Sequence, residues 1–271
     1  MRKAPNIAKI VAIAVLAAAI TGCGEATSAV SNFAIGEGSG SGELVSLEKK
    51  EFERGEFDKL DVRTEAMEVY VEAGPVDKAE VELLVDDTIE NKFQFDAKVQ
   101  SGALTVKVEE GTKSINLSRK GQAGERKLRI TLPDEVYKHI RIQNNFGQVQ
   151  ADDVRAEAVD IKVDAGKIGV NRGSGALKLA ANAGEIVVQG IRLEHDVQAK
   201  TDVGEIAIHL AESPKEADLR LKSEVGSVKA SLEHVDYSVN KTSEKVGSIG
   251  KSGAKIDASA SVGEIVVDVQ R

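Results

Sequence analysis

The chain has 271 residues and a formal net charge of −8, with 41% hydrophobic but only 3% aromatic residues, one cysteine and no tryptophan. A single cysteine excludes an intramolecular disulfide and cysteine-rich zinc modules, and a net acidic chain lacks the basic footprint that a nucleic-acid backbone demands, so no nucleic-acid partner is expected. A core has to be built from Val, Ile, Leu and Ala, and a chain of this length can bury one without covalent staples.

Arg2, Lys3 and Lys9 precede an apolar run from Ile10 to Ile20. That run is shorter than the roughly 20 residues needed to span a bilayer, and a basic start followed by a short apolar stretch and small residues is a secretory signal. It ends Ile20-Thr21-Gly22-Cys23, which resembles the bacterial lipobox: an aliphatic residue and two small residues before a cysteine. The resemblance implies a lipoprotein signal peptide over residues 1–22, cleavage before Cys23, a thioether-linked diacylglycerol on Cys23, and a fatty-acyl group such as palmitate on the new amino terminus. Two or more acyl chains hold a protein on a membrane where one does not. Loss of the three basic residues would leave the mature chain at −11. Residues 23–43 then form a lipidated flexible tether, because a stretch of Gly, Ser, Ala and Thr ending Gly36-Glu37-Gly38-Ser39-Gly40-Ser41-Gly42 cannot bury enough surface to fold.

Residues 44–136 form an N-terminal β region. Leu60-Asp61-Val62, Val69-Tyr70-Val71, Val81-Glu82-Leu83, Phe93-Gln94-Phe95, Leu104-Thr105-Val106 and Leu128-Arg129-Ile130 alternate with period two, the signature of half-buried strands. Residues 111–125 read as a loop or an edge.

Residues 137–271 carry a repeat, so that 44–271 can also be one continuous domain. A glycine followed two residues later by Val or Ile recurs at Gly147, Gly166, Gly184, Gly204, Gly226, Gly247 and Gly263 (the valine after Gly226 and Gly147 included, an isoleucine after Gly247), at intervals of 19, 18, 20, 22, 21 and 16 residues. A near-constant period of about 20 residues marks a solenoid. Odd positions before most of these glycines are largely apolar, as in Val159, Ile161, Val163 and Ala165 ahead of Gly166, with Ser223 before Gly226 and Glu244 before Gly247 among the exceptions. Even positions are apolar after it, as in Ile168 and Val170. The residue just before each glycine, Phe146 and Val225 among them, is therefore expected to face inward, with the inward phase slipping by one at the glycine. A strand changes face only at a bulge or corner, and glycine supplies the backbone freedom such a corner needs. The seven glycines are expected as structural corners of an all-β, parallel β-solenoid whose stacked coils make a rod of about 35 Å. Tyr237 and Val239 fall out of phase with Val246, so the Gly247 coil is expected to be irregular or near an end.

Leu128-Arg129-Ile130-Thr131-Leu132-Pro133, Ile140 to Val149, and the recurring units at Ala183-Gly184-Glu185-Ile186, Val203-Gly204-Glu205-Ile206 and Val225-Gly226-Ser227-Val228 resemble the bacterial "putative adhesin" β-strand-repeat family. The resemblance spans roughly residues 60–271. It implies a β-solenoid domain of unknown function, an extracytoplasmic location and, in some members, proximity to envelope-stress systems. It brings no catalytic residues.

No catalytic motif stands out. The four histidines (His139, His195, His209, His234) have no metal-ligand spacing, no GxSxG or SxxK motif is present, and the coils are too short to carry the side loops from which β-helix enzymes build a cleft. Asp164, Asn182, Asp202 and Glu224 all stand two residues before their glycine, a pattern that reads as a solvated face or as a calcium ladder. Lys162, Lys200 and Lys222 stand four residues before theirs, and Arg141, Lys178, Arg220 and Lys241 six before. In stacked coils these would make a basic stripe beside an acidic row, a candidate anion-binding surface. The expected function is a non-enzymatic cell-envelope lipoprotein presenting an adhesin-like binding or spacing module. Its expected partners are the membrane, through the lipid anchor, and an envelope polymer or membrane protein. No cofactor beyond the covalent lipid and no metal are expected. Alternative readings are an accessory or sensor lipoprotein of an envelope-stress system, and a carbohydrate-active β-helix enzyme.

Overall fold

A computed structural model describes residues 42–89, 93–111 and 124–270; Cys23, the residues before it, the tether as far as residue 41 and most of the 111–125 segment lie outside the described residues. The described chain is all β. Its strands are β1 (Leu44–Glu53), β2 (Lys59–Gly74), β3 (Lys78–Asp86), β4 (Phe93–Gln100), β5 (Ala103–Glu110), β6 (Arg126–Pro133), β7 (Val136–Asp152), β8 (Arg155–Asn171), β9 (Ser174–Ile191), β10 (Val197–Leu210), β11 (Ala217–Ser231), β12 (Asp236–Asn240), β13 (Glu244–Ile249) and β14 (Ala254–Val269). No helix among the described residues is long and apolar enough to cross a membrane.

The long strands bend around a shared core. In β8 the buried side chains are Ala156, Val159, Ile161 and Val163 before Gly166, then Ile168 and Val170 after it. From Val163 to Ile168 is an odd step, so a flat strand would put the two sets on opposite faces. Both sets are buried in one cluster instead, which requires the strand to turn at the glycine and enclose the core with two arms. A second slip lies between Ala156 and Val159, where the pairing of β8 with β9 shifts register. At the far end of each arm the chain turns back within a few residues. Asp153 and Arg172 take left-handed φ values of 56° and 51°, and their N–H groups donate to the carbonyls of Asn171 and Gln189 at 2.9 Å. The Arg172 guanidinium grips the Asp153 carboxylate at 2.8 and 2.6 Å and holds its pKa below the ordinary aspartate value.

Parallel stacking is set at the corner. Gly204 has φ +147°, in a region essentially closed to residues bearing a Cβ. A Cβ there would lie 1.7 Å from the Gly184 carbonyl oxygen. The same approach recurs from Gly166 to Gly147, Gly184 to Gly166, Gly263 to Gly204 and Gly226 to Gly263, at 1.6–1.9 Å, so the glycines form a ladder. In β2 the ladder ends on the Met67 carbonyl, 2.2 Å from the place a Gly147 Cβ would occupy.

The order of the ladder departs from sequence order. The sheet runs β1-β3-β6-β2-β7-β8-β9-β10-β14-β11-β13-β12, so the last strand is inserted between β10 and β11. Gly204 and Gly226 belong to strands that are not neighbours. Gly247 is not a corner: it has no left-handed φ and lies in β13, which pairs antiparallel with β11 and β12 at the end of the sheet. Six glycine-bearing strands stack in parallel, about 29 Å on the same count that gives about 35 Å for seven coils. At the other end the sheet forks. One half of β2 pairs with β5 and the other with β6, so each arm is continued by its own strands. Phe57 and Tyr137 stack there with centroids 6.0 Å apart, and burial pushes the Tyr137 phenol above its ordinary pKa.

Few polar side chains enter the core. Thr64 donates to Asn144 Oδ1 at 2.9 Å, and Asn144 Nδ2 donates to the Met67 carbonyl at 2.9 Å. Ser223 donates to the Gly263 carbonyl at 2.8 Å. Thr201 Oγ1 is buried with no partner among the described residues.

Two stability predictions follow from these contacts. Gly204→Val should destabilise by roughly 2–6 kcal/mol, adding backbone strain to overpacking, whereas Glu205→Ala should stay within about 0.5 kcal/mol. Equal urea midpoints for the two variants would show that the corner tolerates a side chain. Thr201→Val should raise stability by about 1 kcal/mol, since it keeps the shape and removes an unsatisfied hydroxyl; a lower melting temperature would mean that the hydroxyl has a partner.

Candidate functional site

Because neighbouring parallel strands are in register, each outward position becomes a row running across the sheet. Four residues before the glycines the paired residues are Gln143, Lys162, Ala180, Lys200, Ser259 and Lys222. The three lysines are exposed, as their positions imply. The insertion of β14 places Ser259 between Lys200 and Lys222, and Ala180 separates Lys162 from Lys200. They therefore stand two strands apart, about 9.6 Å. Lys162 pairs with Asp164 at 3.4 Å; Lys200 and Lys222 form no ion pair with any described residue.

Six residues before the glycines no basic stripe forms. The row reads Arg141, Asp160, Lys178, Gln198, Asp257, Arg220, with opposite charges interleaved. Lys241 lies outside it, in the β12–β13 hairpin beside Glu244. Of the acidic row, Asp164 accepts a bond from Asn182 at 3.1 Å. Among the described residues no group of three or more His, Cys, Asp or Glu side chains is placed to hold a metal ion. His209, on the second arm, pairs with Asp268 at 2.6 Å across the β10–β14 seam.

Where the first arms begin, the second phase slip leaves a groove of about 330 Å³. Its floor is buried Val159, Leu177 and Val197, and small Ala158 and Ala176 keep it open. The carboxylates around it are engaged with neighbouring groups. Lys255 Nζ lies 2.7 Å from Asp257, the Lys255 backbone N–H donates to Asp196 at 2.8 Å, and Asp160 lies 4.0 Å from Arg141. His139 also lines it, and no Phe, Tyr or Trp does.

The corner carries a feature that periodicity assigns to the core. The residues just before the glycines point outward: Phe146 is 59% exposed, Val203 49%, Val262 45% and Val225 64%. Between the last inward residue of the first arm and the first of the second, the whole turn lies outside the core. Alternation alone cannot separate this arrangement from a single-residue slip, because an apolar residue at the turn satisfies both. The exposure of β-branched side chains becomes visible only once the bend is known.

Comparisons with known proteins give a family model and solved structures to which the chain is similar. The family model described as Toastrack DUF4097 matches residues 130–268. A crystal structure of a "putative cell adhesion protein" from Clostridium sporogenes aligns with a TM-score of 0.52 and 17% identity, over 84% of this chain and 100% of that one. Two further crystal structures, each of a "putative adhesin", come from Bacteroides fragilis and Parabacteroides distasonis. Both align with TM-scores of 0.33, at 17% and 12% identity, covering 84% and 85% of this chain and 97% and 98% of theirs. No curated protein matches this chain.

Proposed function

The chain belongs to the Toastrack DUF4097 family, and from that premise we propose that it is a non-enzymatic lipoprotein of the bacterial cell envelope, anchored by lipid on Cys23 and presenting its β-solenoid as a binding module outside the membrane. The observation that carries this reading is Ile20-Thr21-Gly22-Cys23, the only cysteine of the chain, placed between a short apolar run and a Gly/Ser-rich segment. The "putative cell adhesion protein" name of the Clostridium sporogenes structure accords with surface display. A binding role also suits the groove, where the carboxylates are tied to Lys255 and Arg141. Carbohydrate-cleaving chemistry instead uses a pair of carboxyl groups flanking the scissile bond. An accessory role beside a membrane stress sensor is a variant of the same reading and differs only in the partner.

The exposed row Lys162, Lys200 and Lys222 would be the docking surface for an anionic envelope polymer or lipid headgroup, since focused charge can steer a partner despite the overall sign. The row's spacing of about 9.6 Å suits a repeating anion better than a single phosphate.

Cys23→Ala should abolish incorporation of a metabolically supplied fatty-acid analogue and leave an uncleaved or mis-sorted precursor; label that persists in the variant would refute the anchor. The triple variant Lys162→Gln, Lys200→Gln, Lys222→Gln should weaken binding of the lipid-free chain to an anionic envelope polymer and flatten its salt dependence. Binding that is absent from the wild type at low salt, or equal in the variant, would reduce the row to a solvated face worth under about 1 kcal/mol per pair.

A further inference from the structure

The outward residues at the corner line up across the sheet as Ala66, Phe146, Ala165, Ala183, Val203, Val262 and Val225, each paired with the next. The result is an apolar ridge, one residue wide and about 29 Å long, made of one side chain per strand. Of the five large hydrophobic side chains that are exposed among the described residues, four stand on it. Scattered apolar residues on a surface need no explanation, but a contiguous row rimmed by polar groups marks an interaction site. The ridge is also preorganised, because the glycine ladder directly beneath it leaves the backbone no room to shift.

The rims decide what can dock. Where the ridge is most apolar, at Val203, Val262 and Val225, it is bordered by carboxylates on both sides. Asp202 and Glu224 immediately precede two of the valines, and Glu205 and Glu264 follow the glycines on the other side. Glu185 extends that second rim, paired across the strands with Glu205. Lys167 and Lys229 neutralise Glu185 and Glu264 at 3.0 and 2.6 Å. Asp202, Glu205 and Glu224 form no ion pair with any described residue; Lys200 and Lys222 stand two residues before Asp202 and Glu224 on the same strands, one step further from the valines than the carboxylates. On the ridge itself an anionic headgroup would meet these carboxylates before the lysines, and a second copy laid ridge to ridge would set carboxylates against carboxylates.

We propose that the Val203–Val262–Val225 ridge is a docking surface for a cationic amphipathic polypeptide segment. The partner presents an apolar stripe flanked on both sides by Lys or Arg. The strand spacing of the ridge, about 4.8 Å, is close to the roughly 5.4 Å rise per turn of an α-helix, so successive turns of an amphipathic helix meet successive valines while its flanking cations reach the two acidic rims. This surface runs beside the lysine row and selects the opposite charge, so its test does not depend on lipidation and its outcome is read separately from anion binding.

The experiment uses the mature-length chain with Cys23→Ser and a fluorescein-labelled amphipathic helical peptide of leucine and lysine, followed by anisotropy across a salt series. A peptide with glutamate in place of lysine serves as the counter-probe. The Leu/Lys peptide should bind and the Leu/Glu peptide should not. The triple variant Val203→Ser, Val225→Ser, Val262→Ser should weaken binding about tenfold or more, and Asp202→Asn, Glu205→Gln, Glu224→Gln should weaken it and flatten its salt dependence. The Lys162, Lys200 and Lys222 variant should bind the peptide at least as well as wild type. All of these side chains are exposed, and matching thermal melts would establish that the variants fold. No binding at low salt overturns the proposal. So does equal binding of both peptides, or a serine variant as good as wild type, which would leave only diffuse charge attraction. Concentration-dependent self-association or binding to phosphatidylglycerol vesicles that the serine substitutions abolish would assign the ridge to another copy or to the membrane, and would overturn it as well.

Discussion

The close approach of one glycine backbone to the next governs this molecule. A Cβ at Gly184, Gly204 or Gly263 would fall within 1.7 Å of a neighbouring glycine carbonyl oxygen, so within the ladder the corner can be built from one residue type only. With glycine there, each strand turns on itself and both arms contribute to a single core, in which Ile161, Ile168, Ile206 and Ile265 are essentially inaccessible to water. Between the glycine-bearing strands the two arms lie close enough for Val, Ile, Leu and Ala to fill the space at the density protein interiors demand, and the aromatic pair Phe57 and Tyr137 is buried at the forked end.

The same contact ties together strands that are distant in sequence. After β10 the chain leaves a slot open, lays down β11 and the β12–β13 hairpin, and returns to fill the slot with β14. The final strand is thus hydrogen-bonded on both sides, to β10 and to β11. Burying a strand that would otherwise be an edge removes a template for aggregation, at the cost of contacts that form only when the end of the chain is available. The remaining edges are held by short or antiparallel strands: the β12–β13 hairpin at one end, and at the other the forked extension of β2, where Thr64 and Asn144 satisfy the one corner that has methionine in place of glycine.

Register at the corner also organises the exterior. Once the glycines stack, every outward position becomes a row, and the character of a row depends on which strands are neighbours. The row at Lys178 alternates charge and largely neutralises itself. The row at Lys200 is cationic with small spacers, and the corner row is apolar between acidic rims. Such closely spaced bands of different chemistry on one rigid face suit selective recognition of extended partners.

Much of this was legible in the amino-acid sequence. The β class, the parallel repeat, the glycine corners and the outward direction of the lysines all follow from period-two alternation and a period of about 20 residues, because these are properties of local backbone geometry. The departure at Gly247 was legible too, since Tyr237 and Val239 break phase with Val246. Three things were decided only in three dimensions. Strand order was one, because the units around Gly204, Gly226 and Gly263 are nearly interchangeable and each could pair with the others; which strand fills the slot depends on the path of the connecting hairpin. Another was the direction of Phe146, Val203, Val225 and Val262, because alternation does not report how many residues a turn consumes. The last was the grouping of charges, since Ser259 parts Lys200 from Lys222 only through the insertion of β14. A sequence dictates its repeating unit through local sterics, whereas the neighbours of each unit are chosen by long-range packing, which no local pattern encodes.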